Sequence, residues 1–266
     1  MITGETRLAA VIGAPVRHSR SPAIHNAAFA ATGLDWVYVA LEVASGAGYD
    51  AIRSLPTLGI AGVNVTMPHK ADAARACDEL TDAAARLGSV NTVVVRPDGT
   101  LLGDSTDGEG FLRAVADAGL EPAGRSVVIL GAGGAARAVG AALVGAGARV
   151  TVAARRDRAA EEVAAAVEGV TAAPWPDGPL PGADVVVNAT PIGMGDNHDI
   201  PLEPSAGQWV VDLVYHPLET PLLARAAACG AHPVGGLDML VHQAALSFER
   251  WTGVAAPLDA MRAAAT

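Results

Sequence analysis

Four polar clusters in the first part of the chain carry the kinds of side chain that bind a polar ligand or move a proton. They lie at Ser19–Asn26, Asn64–Lys70, Gly88–Thr92 and Gly103–Asp107. Three of the five asparagines of the chain fall in these clusters, beside several hydroxyls, an ammonium group and a carboxylate. Packing alone does not explain this concentration of polar groups. Together they suit a small polyhydroxylated acid as ligand.

Lys70 is set apart from the other cations of the chain. Of the 18 cationic side chains, 17 are arginine and Lys70 is the single lysine. A lysine ammonium can release its proton, whereas a guanidinium keeps its charge. We therefore predict a catalytic role for Lys70. The alternative is a lysine on the surface of a helix.

A glycine-rich loop lies between a predicted strand and a predicted helix. The segment Val127–Ala136 reads as a strand, then Gly-x-Gly-x-x-Ala, then the start of a helix. Gly131 permits a tight turn, Gly133 lets the backbone approach a pyrophosphate, and the free amides of the helix N-terminus bind the anion. The strand–loop–helix context favours a dinucleotide site over a structural turn.

The end of the next strand distinguishes the two nicotinamide dinucleotides. An NAD site usually has an acidic residue there, about 20 residues after the first glycine, to bind a ribose hydroxyl. This chain instead has Arg155, Arg156 and Arg158. Guanidinium groups suit a 2′-phosphate, so we predict NADP as the cofactor, with a solvated charge run as the alternative. Asp157 is expected to cap the helix that follows.

Short apolar runs alternate with helical patterns along the chain. In the second half, strands of about five residues alternate with helices, which is typical of a parallel sheet covered on both faces. Near the N-terminus, Ser21 is expected to cap a helix that runs to Thr32, with Pro22 in its first turn.

This pattern predicts a two-lobed α/β fold, with an N-terminal α/β substrate domain and a Rossmann-type dinucleotide-binding domain that has a parallel sheet. Residues 1–106 and 237–266 are predicted to form the substrate-binding and catalytic domain. Residues 107–236 are predicted to form the NADP-binding domain.

Composition and charge exclude several classes of protein. Apolar residues make up 51% and charged residues 17% of the chain, which is enough apolar material for a folded core. The net charge of −10 leaves too few cations for a nucleic-acid backbone. Cys77 and Cys229 match no zinc or redox motif, the histidines lack metal-ligand spacing, and no apolar run could span a membrane. We expect a cytoplasmic protein without a metal site, a membrane segment or a nucleic-acid partner.

The four clusters, in this order and before this glycine loop, resemble the shikimate dehydrogenase family. The similarity continues through Asn188–Met194, Asp212–Pro217 and Gly235–Gln243, so it covers nearly the whole chain. The resemblance implies reversible NADPH-dependent reduction of 3-dehydroshikimate to shikimate, in the pathway to chorismate and the aromatic amino acids. It also implies a monomer or a homodimer whose partners are small molecules.

The resemblance implies a role for each matching residue. Ser19 and Ser21 would bind the substrate carboxylate. The residues that would contact the ring hydroxyls are Asn64, Thr66, Lys70, Asn91, Asp107 and Gln243. The residues that would bind NADP are Gly131, Ala132, Gly133, Gly134 and Ala135 at the phosphates, Arg155 at the 2′-phosphate, and Thr190, Met194, Val214 and Gly236 at the nicotinamide. Arg156 does not match the family motif, and its charge predicts that it binds the same 2′-phosphate. Tyr215 would reach the substrate or serve only in packing.

The same resemblance implies a mechanism. Lys70 would stabilise the negative charge that develops on the carbonyl oxygen and would supply its proton, while Asp107 would hold Lys70 and a substrate hydroxyl. Which of the two carries the proton stays open, and Asp107 could also cap a helix.

Two positions depart from the family pattern. The family usually has Asn-Arg-Thr at the 2′-phosphate, where this chain has Ala154-Arg155-Arg156, and Ser105 stands where the family has asparagine. The first change leaves the strength of the preference for NADP over NAD open. The loss of the carboxamide at Ser105 leaves quinate or an amino analogue of shikimate open as substrates. A sensor that binds NADP and shikimate without catalysis is a third hypothesis, against which the presence of both Lys70 and Asp107 argues.

Overall fold

The computed structural model describes residues 2–195 and 200–266. The chain forms two folded units and returns to the first after completing the second. Unit 1 comprises the residues up to Thr106 together with Val241–Thr266. Unit 2 comprises Asp107–Leu240.

The helices and strands alternate along most of the chain. The elements up to the end of the first pass through unit 1 are β1 (Arg7–Gly13), α1 (Ser21–Thr32), β2 (Trp36–Glu42), α2 (Gly48–Arg53), β3 (Ile60–Val65), α3 (Lys70–Ala76), β4 (Glu79–Leu80), α4 (Asp82–Leu87), β5 (Thr92–Val95) and β6 (Leu101–Asp104). Unit 2 then contains α5 (Asp107–Asp117), β7 (Ser126–Leu130), α6 (Gly134–Gly145), β8 (Arg149–Ala154), α7 (Asp157–Ala166), β9 (Val170–Pro174), β10 (Val185–Asn188), β11 (Trp209–Asp212), α8 (Pro221–Ala228) and β12 (His232–Gly235). The chain ends with α9 (Gly236–Thr252) and α10 (Leu258–Ala265). None of these helices is long and apolar enough to cross a membrane, as far as the described residues go.

Unit 1 is built on a mixed six-stranded sheet with the strand order β2-β1-β3-β5-β6-β4. β1 is parallel to β2 and β3, whereas β5 is antiparallel to β3 and β6. The register places Asn64 of β3 beside Thr92 of β5, and Thr92 beside Asp104 of β6. Residues from three of the polar clusters therefore meet at the edge where β3 ends.

Unit 2 is built on a six-stranded sheet in which every pairing is parallel, with the order β12-β11-β10-β7-β8-β9. All four residues of β10 are buried, as expected for a strand covered on both faces. The chain order reverses beside β7, and sheets of this kind bind ligands beyond the carboxyl ends of the strands at such a reversal. The predicted α/β fold with a Rossmann-type parallel sheet is confirmed.

Each sheet has its own apolar core. In unit 1, buried side chains of β1, β3 and β5 pack with Ile52 of α2 and Leu101 of β6. In unit 2, Val127 and Ile129 of β7 pack with Phe111 of α5 and with residues of α6 and α7. These cores hold the sheets rigidly, so the loops at the strand ends start from defined positions.

Two predicted helix caps are wrong. Ser21 is the first residue of α1, Arg20 occupies the N-cap position, and Ser19 Oγ accepts a hydrogen bond from the Ser21 amide at 3.2 Å. Asp157 is likewise the first residue of α7, and no side chain caps that helix. A capping side chain belongs to the residue before the first helical one. Both residues lie inside the first turn instead.

Candidate active site

The loop between β7 and α6 has the geometry of an anion-binding turn. Gly131 has a φ of +117°, and a Cβ at this position would lie 2.8 Å from the Ala189 carbonyl oxygen, so only glycine fits. Nothing lies within 4 Å of the Cβ positions built on Gly133 and Gly134. No side chain caps the N-terminus of α6, and uncapped amides at a helix N-terminus are the groups that bind anions in dinucleotide sites.

Two arginines lie at the same edge of this sheet. Arg155 and Arg156 follow β8, which pairs with β7, and both are exposed. The Gly131 amide donates to the Ala153 carbonyl at 2.8 Å, which ties the glycine loop to the end of β8. Arg158 instead forms an ion pair with Glu162 on α7, at 3.2 Å. The structure therefore places the glycine loop and the segment with the two arginines at adjacent strand ends.

A buried asparagine organises the loop after β10. Asn188 ends this strand, has no exposed surface, and lies beside Asp212 in the ladder with β11. Its Nδ2 donates to Asp212 Oδ1 at 2.8 Å and to the Ile192 carbonyl at 3.0 Å. Its Oδ1 accepts from the Thr190 amide at 3.0 Å and from Thr190 Oγ1 at 2.7 Å. The predicted nicotinamide residue Thr190 is thus held against the strand end.

Asp212 organises the loop after β11 in a similar way. Its Oδ1 accepts from the Val214 amide at 3.0 Å, and its Oδ2 accepts from Thr220 Oγ1 at 2.7 Å. Val214 is buried and Tyr215 is half-buried in this loop. A Cβ on Gly236 would overlap the carbonyl of Leu213, so the start of α9 also needs glycine at this loop.

Lys70 is the first residue of α3 and is half-buried. The turn before it closes through the His69 amide, which donates to the Thr66 carbonyl at 3.0 Å. The Val90 amide donates to the Lys70 carbonyl at 3.0 Å, and the Thr66 amide donates to the Ile12 carbonyl at 2.9 Å. The backbone of Lys70 is therefore fixed between β1 and the segment that leads into β5.

Asn64 lies in a buried hydrogen-bond network in unit 1. The hydroxyl of Tyr38 donates to Asn64 Oδ1 at 2.7 Å, and Asn64 Nδ2 donates to Ser247 Oγ at 2.9 Å. Asn64 Nδ2 also lies 3.2 Å from the Asn91 carbonyl and 3.2 Å from Thr92 Oγ1. A backbone carbonyl only accepts, so the carboxamide has one orientation.

Asn91 extends this network towards α9. Its Oδ1 accepts from Thr92 Oγ1 at 3.0 Å and from the Thr106 amide at 2.9 Å. Thr106 Oγ1 donates to the Gln243 carbonyl at 3.1 Å, and Ser247 Oγ lies 3.0 Å from the same carbonyl. The predicted ligand residues Asn64, Asn91 and Gln243 are therefore connected within unit 1.

A neutral histidine packs against this network. His25 is fully buried, and its ring stacks on Tyr38 with 4.4 Å between centroids. Burial lowers the pKa of His25 to about 3, with a smaller opposing effect from Asn64. Burial also raises the pKa of Tyr38 well above its usual value, against a hydrogen bond with Ser21. The phenol therefore keeps its proton and stays a donor to Asn64.

The predicted site residues divide between the two units. Unit 1 contains Ser19, Ser21, Asn64, Thr66, Lys70, Asn91 and Gln243. Unit 2 contains Asp107, Gly131, Ala132, Gly133, Gly134, Ala135, Arg155, Arg156, Thr190, Met194, Val214, Tyr215 and Gly236. Their roles towards a ligand stay predictions.

Several polar residues of these two networks were not predicted as site residues from the sequence. They include Tyr38, Thr92, Thr106, Asn188, Asp212, Thr220 and Ser247. A usable signal existed for Asn188 and Asp212, because each ends a buried apolar strand. No comparable signal marks Tyr38 or Ser247. Across residues 2–195 and 200–266, no group of three or more His, Cys, Asp or Glu side chains could hold a metal ion.

The fold and these loops define a two-unit α/β protein with a Rossmann-type dinucleotide-binding unit. A family model described as the shikimate dehydrogenase substrate binding domain matches residues 11–93, and one described as the shikimate 5′-dehydrogenase C-terminal domain matches residues 236–266. The shikimate dehydrogenase (NADP(+)) of Rhodospirillum rubrum is 49% identical over 284 aligned positions, which cover 99% of this chain and 98% of that protein.

Solved structures show the same similarity. A shikimate dehydrogenase crystallised in complex with NADP+ has a TM-score of 0.93 and 38% identity, covering 100% of this chain and 96% of that chain. The quinate dehydrogenase of Corynebacterium glutamicum in complex with NAD has a TM-score of 0.89 and 32% identity, covering 97% and 98% of the two chains. This chain belongs to the shikimate dehydrogenase family.

Proposed function

We propose that this protein is an NADP-dependent shikimate dehydrogenase, which catalyses the reversible reduction of 3-dehydroshikimate to shikimate in the route to chorismate and the aromatic amino acids. The observation that carries this proposal is the full-length match to a relative named shikimate dehydrogenase (NADP(+)). The match spans both the Lys70 segment and the glycine loop. A cytoplasmic enzyme, present as a monomer or homodimer, fits this role.

The domain roles follow from the placement of the residues. Residues 1–106 and 237–266 would bind the substrate, and residues 107–236 would bind NADP. Ser19 and Ser21 would donate hydrogen bonds to the substrate carboxylate. The residues proposed to contact the ring are Asn64, Thr66, Lys70, Asn91, Asp107, Tyr215 and Gln243.

NADPH, when bound, supplies the hydride that reduces the substrate carbonyl. Lys70 stabilises the negative charge on the carbonyl oxygen and gives that oxygen a proton, so the product is an alcohol and Lys70 is left neutral until solvent reprotonates it. Asp107 binds a substrate hydroxyl and keeps the ammonium group of Lys70 directed at the carbonyl oxygen. In the reverse direction the neutral amine accepts the hydroxyl proton.

The proposed preference for NADP over NAD rests on the residues that follow β8. The exposed guanidinium groups of Arg155 and Arg156 provide charge-assisted hydrogen bonds for a 2′-phosphate. The open Cβ positions at Gly133 and Gly134 leave room for the pyrophosphate at the start of α6. Thr190, Met194, Val214 and Gly236 would surround the nicotinamide.

A quinate dehydrogenase is the second candidate. Ser105 is buried and stands where the family has asparagine, two residues before the proposed substrate ligand Asp107 in the sequence. The similarity to a quinate dehydrogenase with bound NAD favours the same candidate.

A spectrophotometric assay of the purified chain distinguishes these proposals. Shikimate, quinate and an amino analogue of shikimate are each oxidised with NADP and with NAD, and formation of the reduced cofactor is followed. We expect fast turnover with shikimate and NADP only. Faster turnover with quinate or NAD would replace the first proposal with the second. Binding of shikimate and NADP without turnover of any pair would indicate a sensor.

A further inference from the structure

We infer that Asn188 is a positioning residue for hydride transfer: it fixes the loop that carries Thr190, and so the nicotinamide end of the dinucleotide site. This inference rests on the proposed function, because it assumes that a nicotinamide dinucleotide binds beyond the carboxyl ends of β7 and β10. Asn188 itself is completely buried and would not touch the cofactor.

The side chain of Asn188 makes four hydrogen bonds, to three residues. Two donors of Thr190 bind its Oδ1, at 3.0 and 2.7 Å, and its Nδ2 reaches Asp212 Oδ1 at 2.8 Å and the Ile192 carbonyl at 3.0 Å. A carboxamide has two protons and two lone pairs, so this arrangement uses its full capacity. No other side chain of the same size carries two donor protons on one terminal atom and two acceptor lone pairs on the other.

The three partner residues lie in two neighbouring segments: the ladder pairs Asn188 with Asp212 but ends there, and Thr190 and Ile192 lie beyond it. Thr190 and Ile192 belong to the loop after β10, and Asp212 ends the neighbouring strand β11, whose own loop is held by Asp212 through the Val214 amide. The Thr190 hydroxyl also accepts from the Ile192 amide at 3.2 Å. Asn188 thus sets two adjacent loops relative to each other.

The position of this loop matters for chemistry. A Cβ on Gly131 would meet the carbonyl of Ala189 and the methyl of Thr190, so the loop after β10 lies directly against the glycine turn. A dinucleotide whose phosphates bind that turn would extend along this loop. A displacement of about 1 Å in the reacting geometry can cost about a hundredfold in rate.

Asn188→Asp is the sharpest variant, because it changes one amide nitrogen to oxygen and keeps the shape. The new carboxylate would face the Asp212 carboxylate and the Ile192 carbonyl, both of which only accept, so the loop must move. We expect kcat for shikimate oxidation to fall about 10- to 100-fold. The dissociation constant of 2′-phospho-ADP-ribose, which lacks the nicotinamide, should change less than about twofold because the glycine loop and Arg155 are unaltered.

Two further measurements test positioning rather than general stability. With shikimate deuterated at C3, the isotope effect on kcat should rise in Asn188→Asp, because hydride transfer becomes slower than product release. In hydrogen exchange of the wild-type chain, NADP should protect the peptides around Thr190 and Val214 more than 2′-phospho-ADP-ribose does. This difference should disappear in the variant. If Asn188→Asp does not fold, Asn188→Ala replaces it, because alanine adds no charge. We expect the same changes in Asn188→Ala, but smaller ones.

Gln208→Glu is the matched control. Gln208 is a buried carboxamide that also bridges backbone groups, since its Nε2 donates to the Leu180 and Ala183 carbonyls at 3.1 and 2.7 Å and its Oε1 accepts from the Ser205 amide at 3.2 Å. It lies in the same unit but precedes β11, at the opposite end of that strand from Asp212. Its replacement should lower stability without changing the isotope effect or the exchange difference.

An unchanged kcat and isotope effect in Asn188→Asp, or an equal loss of affinity for NADP and 2′-phospho-ADP-ribose, would overturn the inference while leaving the proposed function in place. A wild-type chain that binds NADP but does not oxidise shikimate would instead overturn the proposed function. In that case the hydrogen-exchange measurement, which needs no turnover, still tests the role of Asn188.

Discussion

Lys70 stands at a position where a cation is unfavourable for the helix. It is the first residue of α3, and the positive end of the helix dipole disfavours a nearby ammonium group by up to about 1 kcal/mol. The chain uses arginine for every other cation. For a lysine that is neither the usual choice of this chain nor favourable for its helix, we propose a chemical role in which a proton leaves and returns.

Lys70→Arg tests that role because it keeps the positive charge and removes the transferable proton. We expect kcat to fall by about 10²- to 10⁴-fold, with the dissociation constant of shikimate changed only a few-fold. Steady-state kinetics and calorimetric titration measure the two quantities. Arg75→Ala on the same helix, where Arg75 pairs with Asp72 at the surface, is the control. Near-normal turnover in Lys70→Arg would show that Lys70 does not transfer the proton.

Arg155 is expected to determine the preference for NADP. In Arg155→Ala, the KM for NADP should rise about 10- to 100-fold because a charge-assisted hydrogen bond to the 2′-phosphate is lost. The KM for NAD should stay nearly constant. Arg158→Ala, which removes an arginine already paired with Glu162, should leave both constants unchanged. Equal effects of Arg155→Ala on the two cofactors would contradict the assignment.

Between elements, the polar network of unit 1 replaces apolar packing where β2, β3, β5 and α9 meet. Tyr38 comes from β2, Asn64 from β3, Thr92 from β5 and Ser247 from α9. Each buried donor or acceptor costs free energy unless it is paired. Such a network holds the four elements in one arrangement, and so presents Asn64 and Asn91 in fixed orientations.

Tyr38→Phe should therefore lower the free energy of unfolding by about 1–2 kcal/mol, because Asn64 Oδ1 loses its donor while the ring that stacks on His25 remains. Urea denaturation measures the change. Tyr49→Phe removes the same hydroxyl from a side chain that is 43% exposed, and should change stability by less than about 0.5 kcal/mol. Equal effects of the two substitutions would show that the hydrogen bond from Tyr38 to Asn64 contributes nothing to the free energy of unfolding.

At the scale of the whole molecule, the two units have separate sheets and separate cores, so solution conditions can affect one before the other. His25 gives unit 1 a dependence on pH. Its pKa is about 3 when folded, below the value of about 6.5 of an unfolded histidine. The unfolded state then binds more protons between these values, and stability is lost as the pH falls from about 6.5 towards 3.

This linkage predicts a loss of about 1 kcal/mol of stability between pH 7 and pH 5.5 from His25. His25→Phe, which keeps a ring between Tyr38 and Trp251, should have a correspondingly flatter dependence of stability on pH. His18→Phe changes an exposed histidine and should keep the wild-type dependence. Urea denaturation across this pH range, with hydrogen exchange to locate the change in unit 1, measures the effect. The same slope in all three proteins would exclude His25 as its source.

The local features of this protein were determined by short stretches of sequence. The helix that ends at Thr32 was expected to within one residue, since Ser21 was predicted as its cap and is its first residue. The glycine turn at Gly131 was expected as well, because propensity, capping glycines and the period of apolar residues act within a few residues. The family motifs also follow from sequence order alone. The parallel sheet of unit 2 was expected from the alternation of strands and helices.

Only the tertiary structure decided which polar side chains meet. Asn188 and Asp212 are partners because the register of β10 and β11 places them side by side, and Asn64 meets Thr92 for the same reason in β3 and β5. A shift of one residue would turn each side chain to the other face of its sheet. Tyr38 and Ser247 join the network only when β2 and α9 pack beside β3. Such pairings depend on the free energy of the whole core, which no short segment of the chain contains.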